Sequence, residues 1–122
     1  MARVFLDANV VIDIIEERKD WSLDDLNEHK LFVSPLSVHI LIYLYKYKIP
    51  DTKLDRIEEY WSFVAIDKAV SLKALQGPNK DFEDNVQLHS AADADCDFFL
   101  TSDQKLLKMK FFGKVRIVKN LH

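Results

Sequence analysis

The chain has 122 residues, 48% hydrophobic and 30% charged, enough apolar mass for one ordinary globular core. Its 20 acidic and 17 basic side chains leave a net charge of −3, which excludes a molecule that attracts nucleic acid as a whole. The longest apolar run, 38–47, contains His39 and Lys46 and is about half the ~20 residues of a membrane span.

No charged-then-apolar leader opens the chain, and its single cysteine, Cys96, can form no internal disulfide. A cytoplasmic protein is therefore expected, with Cys96 as a small buried apolar residue. No repeat, low-complexity tract or linker appears, so residues 1–122 read as one domain.

Residues 2–6 are short and apolar and read as a strand. A helix follows over 8–17, with Val10, Val11, Ile14 and Ile15 on one stripe. The next elements are a helix over 23–28 and a short strand at 31–33. A helix then starts in Ser34-Pro35-Leu36-Ser37 and runs to about Tyr47. That helix is apolar nearly all round, so it is either central or half-covered by a partner.

A further helix is expected over 51–61, from Leu54, Ile57 and Trp61 at helical spacing, then a strand at 63–66 and a helix over 67–75. The run Gln76-Gly77-Pro78-Asn79 is a break. Beyond it come a helix over 82–95, a strand at 98–101, a short helix at 103–108 and a last strand at 115–118. Alternating strands and helices predict an α/β fold, a parallel sheet with helices on both faces. Continuously apolar Val4-Phe5-Leu6 and Phe98-Phe99-Leu100 suit strands covered on both sides.

Asp7, Asp84 and Asp103 carry the chemistry. Asp7 and Asp103 each follow an apolar strand, and Asp84 lies in the first turn of a helix. Residues just past the carboxyl ends of parallel strands line one crevice, so distant carboxylates can meet there. Hard oxygen ligands gathered in this way suit Mg²⁺ or Mn²⁺. Each aspartate also has a bland reading. Asp7, Asp81 and Asp103 are well placed as helix N-caps, worth typically ~1 kcal/mol each, and Asp84 can complete a capping-box variant. Three such turns pointing to one rim would crowd like charges, which is costly without a cation.

No acidic side chain follows Asp103, whereas Lys105, Lys108, Lys110, Lys114, Arg116 and Lys119 are basic. This stripe is either a solvated surface or a grip on phosphates, with Lys105, Lys108 and Arg116 the candidates.

The segments Val4-Phe5-Leu6-Asp7-Ala8-Asn9-Val10-Val11-Ile12-Asp13, Asp81-Phe82-Glu83-Asp84-Asn85-Val86-Gln87 and Asp97-Phe98-Phe99-Leu100-Thr101-Ser102-Asp103 resemble the three landmark segments of PIN-domain nucleases. The group most similar is that of VapC-like toxins of toxin–antitoxin pairs. The resemblance extends over the chain in order and spacing. It implies a three-layer α/β/α sandwich around a parallel sheet, and Mg²⁺- or Mn²⁺-dependent cleavage of RNA. By position it makes Asp7, Asp84 and Asp103 the catalytic, metal-holding acids, with Asn9, Asp81 and Ser102 in support. It also implies a small antitoxin partner and a homodimer, for which the 38–47 helix and exposed-looking Trp21 and Trp61 are candidate surfaces. Plain core packing is the alternative for all three.

One departure stands out. The family usually carries a Glu in a segment like Ser-x-x-Thr-x-x-Glu, and here Ser34-Pro35-Leu36-Ser37-Val38-His39-Ile40 puts Ile40 at that position. His39 projects about 100° away on the helix and does not replace it. A PIN scaffold that binds RNA or a partner without cutting is therefore the rival reading. Receiver-type phosphoacceptor domains need paired acids after the first strand, and haloacid-dehalogenase phosphatases need Asp-x-Asp. Asp7-Ala8-Asn9 supplies neither.

Overall fold

The computed structural model describes residues 1–121. Six strands form one sheet in the order β3-β2-β1-β4-β6-β5: β1 (Arg3–Leu6), β2 (Lys30–Val33), β3 (Ser62–Phe63), β4 (Phe98–Leu100), β5 (Phe111–Phe112) and β6 (Val115–Val118). Every pairing is parallel except β5 with β6. Seven helices accompany the sheet: α1 (Ala8–Ile15), α2 (Leu23–Leu26), α3 (Pro35–Tyr45), α4 (Thr52–Asp55), α5 (Lys68–Gln76), α6 (Phe82–Asp93) and α7 (Gln104–Met109). The expected α/β/α sandwich is present. No helix among the described residues is long and apolar enough to cross a membrane.

The period of two along β1 explains the layering. Phe5 joins one buried cluster with Phe32, Leu88, Phe99, Leu106 and Ile117. Its neighbours Val4 and Leu6 face the other, with Val10, Val11, Trp21, Leu26 and Leu100. Phe5 and Phe99 stack across the β1–β4 pair with centroids 5.5 Å apart and rings 10° from parallel. The Arg3 guanidinium donates to the Ala94 carbonyl from both Nε and Nη2, at 3.1 and 2.6 Å. The Arg3 amide donates to Asp97 Oδ2 at 2.9 Å. These bonds tie the start of β1 to the turn before β4, and so fix where both strands end.

Several expectations need correction. The 51–61 helix is interrupted, surviving as α4 and a 3₁₀ turn over Ile57–Glu59. Only Ile57 of its apolar stripe is fully buried, so little packing rewards a longer helix. The 63–66 strand shortens to β3, although the Val64 amide still donates to the Val33 carbonyl at 2.9 Å. Strand β5 was not expected. It folds back through Gly113 and Lys114, with Gly113 at φ +60°, and makes the sheet mixed.

Trp21 is not exposed but 9% accessible. Its indole N–H donates to Asp13 at 3.0 Å, and Asp13 also pairs with Arg18 at 3.2 Å. Trp61 is half-buried. Helix α3 buries only Ser37 and Leu41, leaving Tyr43 74% and Leu44 58% accessible. It lies on the outside of the fold.

Candidate functional site

The carboxyl ends of β1 and β4 lie side by side, with Leu6 in register with Leu100. The next residues, Asp7 and Thr101, are therefore adjacent, and the Asp7 amide donates to the Leu100 carbonyl at 3.0 Å. The Thr101 hydroxyl donates to Asp7 Oδ2 at 2.6 Å, while Asp7 Oδ1 accepts from the Ala8 amide at 2.8 Å. Thr101 Oγ1 also accepts from the Asp103 amide at 3.0 Å. One hydroxyl thus orients a carboxylate and the turn that bears a second.

Asp103 caps α7, accepting from the amides of Lys105 at 2.8 Å and Leu106 at 3.3 Å. Asp81 caps α6 by accepting from the Asp84 amide at 3.1 Å. The capping reading thus holds for Asp7, Asp81 and Asp103. It does not exhaust them: Asp81 and Asp103 cap through Oδ1, and Asp7 turns its other oxygen to the Thr101 hydroxyl. Asp84 spends no side-chain oxygen on capping; it lies half-buried in the first turn of α6.

Their electrostatics mark a shared field. Burial pushes the Asp7 carboxyl from 3.8 up to about 6; Thr101 and the Ala8 amide oppose the rise, and the charge on Asp103 adds to it. Asp84 is likewise raised to about 6, first by burial and then by repulsion from Asp81, Asp7 and Asp103, with Lys105 opposing. Carboxylates that raise one another's pKa in this way face a common space. Among the described residues, no three Asp, Glu, His or Cys side chains are grouped closely enough to hold a metal ion. The donor chemistry, all carboxylate oxygen with Thr101 behind it, fits a hard divalent cation and no softer one.

Around this rim, Asn79, Lys80, Asp81, Asp84, Lys105 and Leu106 line a groove. Asn9 is exposed in the first turn of α1, and Ser102 is half-buried between Thr101 and Asp103. Lys105 thus lies beside the acids, with Lys108 exposed further along α7. Arg116 is not brought to the rim. It stands opposite Phe98 at the start of β4, in a separate groove with Gln104, Leu107 and Lys119. Ile40 is half-buried on α3, one turn beyond Ser37 and on the same face, whereas His39 is exposed.

Three supporting residues escaped the sequence reading: Thr101, Gln87 and Ser37. Gln87 is 2% accessible, and its Oε1 accepts from the Ala8 amide at 2.7 Å. The Ser37 hydroxyl donates to the same oxygen at 3.5 Å. The available signal was a polar residue one helical turn after Asp84, in a stretch where Val86, Leu88 and Ala91 are core.

Comparison with known proteins agrees with this architecture. The family model described as PIN domain matches residues 3–105. A chain in the crystal structure of VapBC2 from Rickettsia felis bound to a DNA fragment from their promoter superposes with a TM-score of 0.71 at 15% identity. That alignment covers 98% of this chain and 99% of the other. A chain in the crystal structure of DNA-bound VapBC from Salmonella typhimurium gives a TM-score of 0.63 at 17% identity, over 97% and 98% of the two chains. No curated protein matches by sequence.

Proposed function

Because this chain belongs to the PIN domain family, we propose that it is a divalent-metal-dependent endoribonuclease, the toxin of a toxin–antitoxin pair acting in the cytoplasm. The observation that carries the reading is the shared field of Asp7 and Asp84, both pushed to about 6 by burial and by neighbouring carboxylates. A site so built holds its negative charge best with a cation in it.

In this reading Asp7, Asp84 and Asp103 hold Mg²⁺ or Mn²⁺, with Asp81 and Asn9 available from either side. When bound, the ion supplies an activated water and neutralises charge developing on a phosphodiester. The protein's own part is positioning. Thr101 keeps Asp7 Oδ2 in one orientation, and its bond to the Asp103 amide sets the turn through Ser102. Lys105 and Lys108 hold flanking phosphates, which sets register without reading sequence; Arg116, in its separate groove, reaches a longer strand only. The exposed apolar residues Tyr43, Leu44 and Tyr45 of α3 support a homodimer or a bound antitoxin.

A second reading, a scaffold that binds RNA or a partner without cutting, is favoured by Ile40 and by the absence of a closed ligand set among the described residues. One experiment separates them. Mn²⁺ should raise the melting temperature of the wild type by mass action, and single-stranded RNA should be cleaved in Mn²⁺ but not in excess chelator. Asp7→Asn and Asp84→Asn should abolish both effects. Cleavage that persists in both variants would exclude the metal reading; RNA binding without any Mn²⁺ effect would establish the scaffold.

A further inference from the structure

Gln87 is the least expected residue of the site. A primary amide, 2% accessible, stands where α6 passes the amino end of α1. Three elements meet on it. Its Oε1 accepts from the Ala8 amide of α1 at 2.7 Å and from the Ser37 hydroxyl of α3 at 3.5 Å. The Ala8 amide that Gln87 accepts from also donates to Asp7 Oδ1, at 2.8 Å, so Gln87 and Asp7 share a donor. Asp84 lies one turn earlier on the same face of α6. The turn that carries Asp7 is thus tied to the helix that carries Asp84 through a single side chain.

We propose that Gln87 is a positioning residue that ties the first turn of α1, and with it Asp7, to helix α6, and so sets the separation of Asp7 from Asp84. This inference rests on the reading of Asp7 and Asp84 as metal ligands. An apolar residue at position 87 would fill the same space and pack against Leu88 and Ala91. It could not accept from the Ala8 amide or the Ser37 hydroxyl. A buried amide whose oxygen accepts both from the amide after Asp7 and from the Ser37 hydroxyl has geometry that space-filling does not require. Ser37 completes the arrangement by donating to the same oxygen from α3, which keeps that oxygen toward Ala8. Outer-shell groups of this kind fix the orientation of a ligand and commonly change metal affinity when removed.

The test uses the whole chain carrying Gln87→Met, which keeps length and bulk while removing both hydrogen-bonding ends. Circular dichroism and a cooperative melt report the fold, and calorimetry with Mn²⁺ reports affinity. Affinity is expected to fall roughly 10- to 100-fold, with kcat reduced and KM for a short RNA unchanged. In chelated protein the Ala8 amide should exchange with solvent faster than in the wild type, a reading independent of metal.

Unchanged Ala8 exchange together with unchanged Mn²⁺ affinity, at a lower melting temperature, would overturn the proposal and make Gln87 a core filler. A wild type that binds no Mn²⁺ would instead sink the metal reading beneath it, and that result is visible before any variant is made. Should Gln87→Met not fold, Ser37→Ala removes the third anchor and leaves Asp7 and Gln87 in place. A smaller loss of affinity in the same direction then supports the clamp, and none overturns it.

Discussion

Asp7→Asn is expected to stabilise the metal-free protein, by an amount that follows from the geometry of the site. The Asp7 carboxyl rises from 3.8 to about 6 on folding, chiefly through burial. A raised value means the fold prefers the protonated acid. The stability this contributes is whole below pH ~4 and is lost as the pH climbs through 6. At ~1.4 kcal/mol per pH unit of displacement, the ionised carboxylate costs the native state about 3 kcal/mol at pH 7.5.

An amide removes that charge, at some loss. With Oδ2 replaced by NH₂, the Thr101 hydroxyl can no longer donate to it, and one hydrogen bond worth ~1 kcal/mol is given up. The net gain is about 1–2 kcal/mol, which for a domain of this size is a rise in melting temperature of roughly 4–8 °C. Measured in EDTA at pH 7.5, the variant should melt above the wild type. By pH 4.5 about 2 kcal/mol of the wild type's penalty has gone, so the order should level or reverse. A variant that melts lower than wild type at pH 7.5, or a difference that does not change with pH, would refute the argument that burial holds Asp7 under electrostatic strain.

Other substitutions probe the rest of the molecule. Ile40→Glu places a carboxylate on the face of α3 that carries Ser37 and should tighten Mn²⁺ binding about tenfold, or ~1.4 kcal/mol; calorimetry giving equal affinities would show that Ile40 does not face the ion. Trp21→Phe deletes the indole bond to buried Asp13 and should cost ~1–3 kcal/mol, read as a lower urea midpoint at unchanged slope. Replacing Tyr43 and Leu44 together by Glu should leave the melting temperature within a few degrees of wild type, since both are exposed. The same pair should halve the mass seen by light scattering, and an unaltered dimer would move the interface elsewhere. Phe99→Ala should cost ~3–5 kcal/mol and remove most of the fold's stability, because Phe99 stacks on Phe5 at the sheet's centre; a cooperative melt near that of wild type would contradict the assigned core.

Much of this protein was legible without coordinates, and the reason is local. Val4-Phe5-Leu6 and Phe98-Phe99-Leu100 announce doubly covered strands by composition alone, and Asp7, Asp81 and Asp103 each begin a helix that their own oxygens cap. Runs and caps depend on residues a few positions apart, so one chain suffices to read them. Packing decided the remainder. Whether the 51–61 helix continued depended on how much of its stripe found a core, and only Ile57 did. Trp21 looked like an exposed aromatic until Asp13 was found beneath its indole. Strand β5 exists because Gly113 lets the chain turn back onto β6.

The site divides in the same way. Its three acids could be named from their places at element ends. That Thr101 holds Asp7, Ser37 holds Gln87, and Gln87 holds the Ala8 amide could not, because those bonds span 94, 50 and 79 residues of sequence between their partners. A hydrogen bond between side chains so far apart leaves no periodicity behind. It becomes definite only when parallel strands end at the same level and three helices close over them.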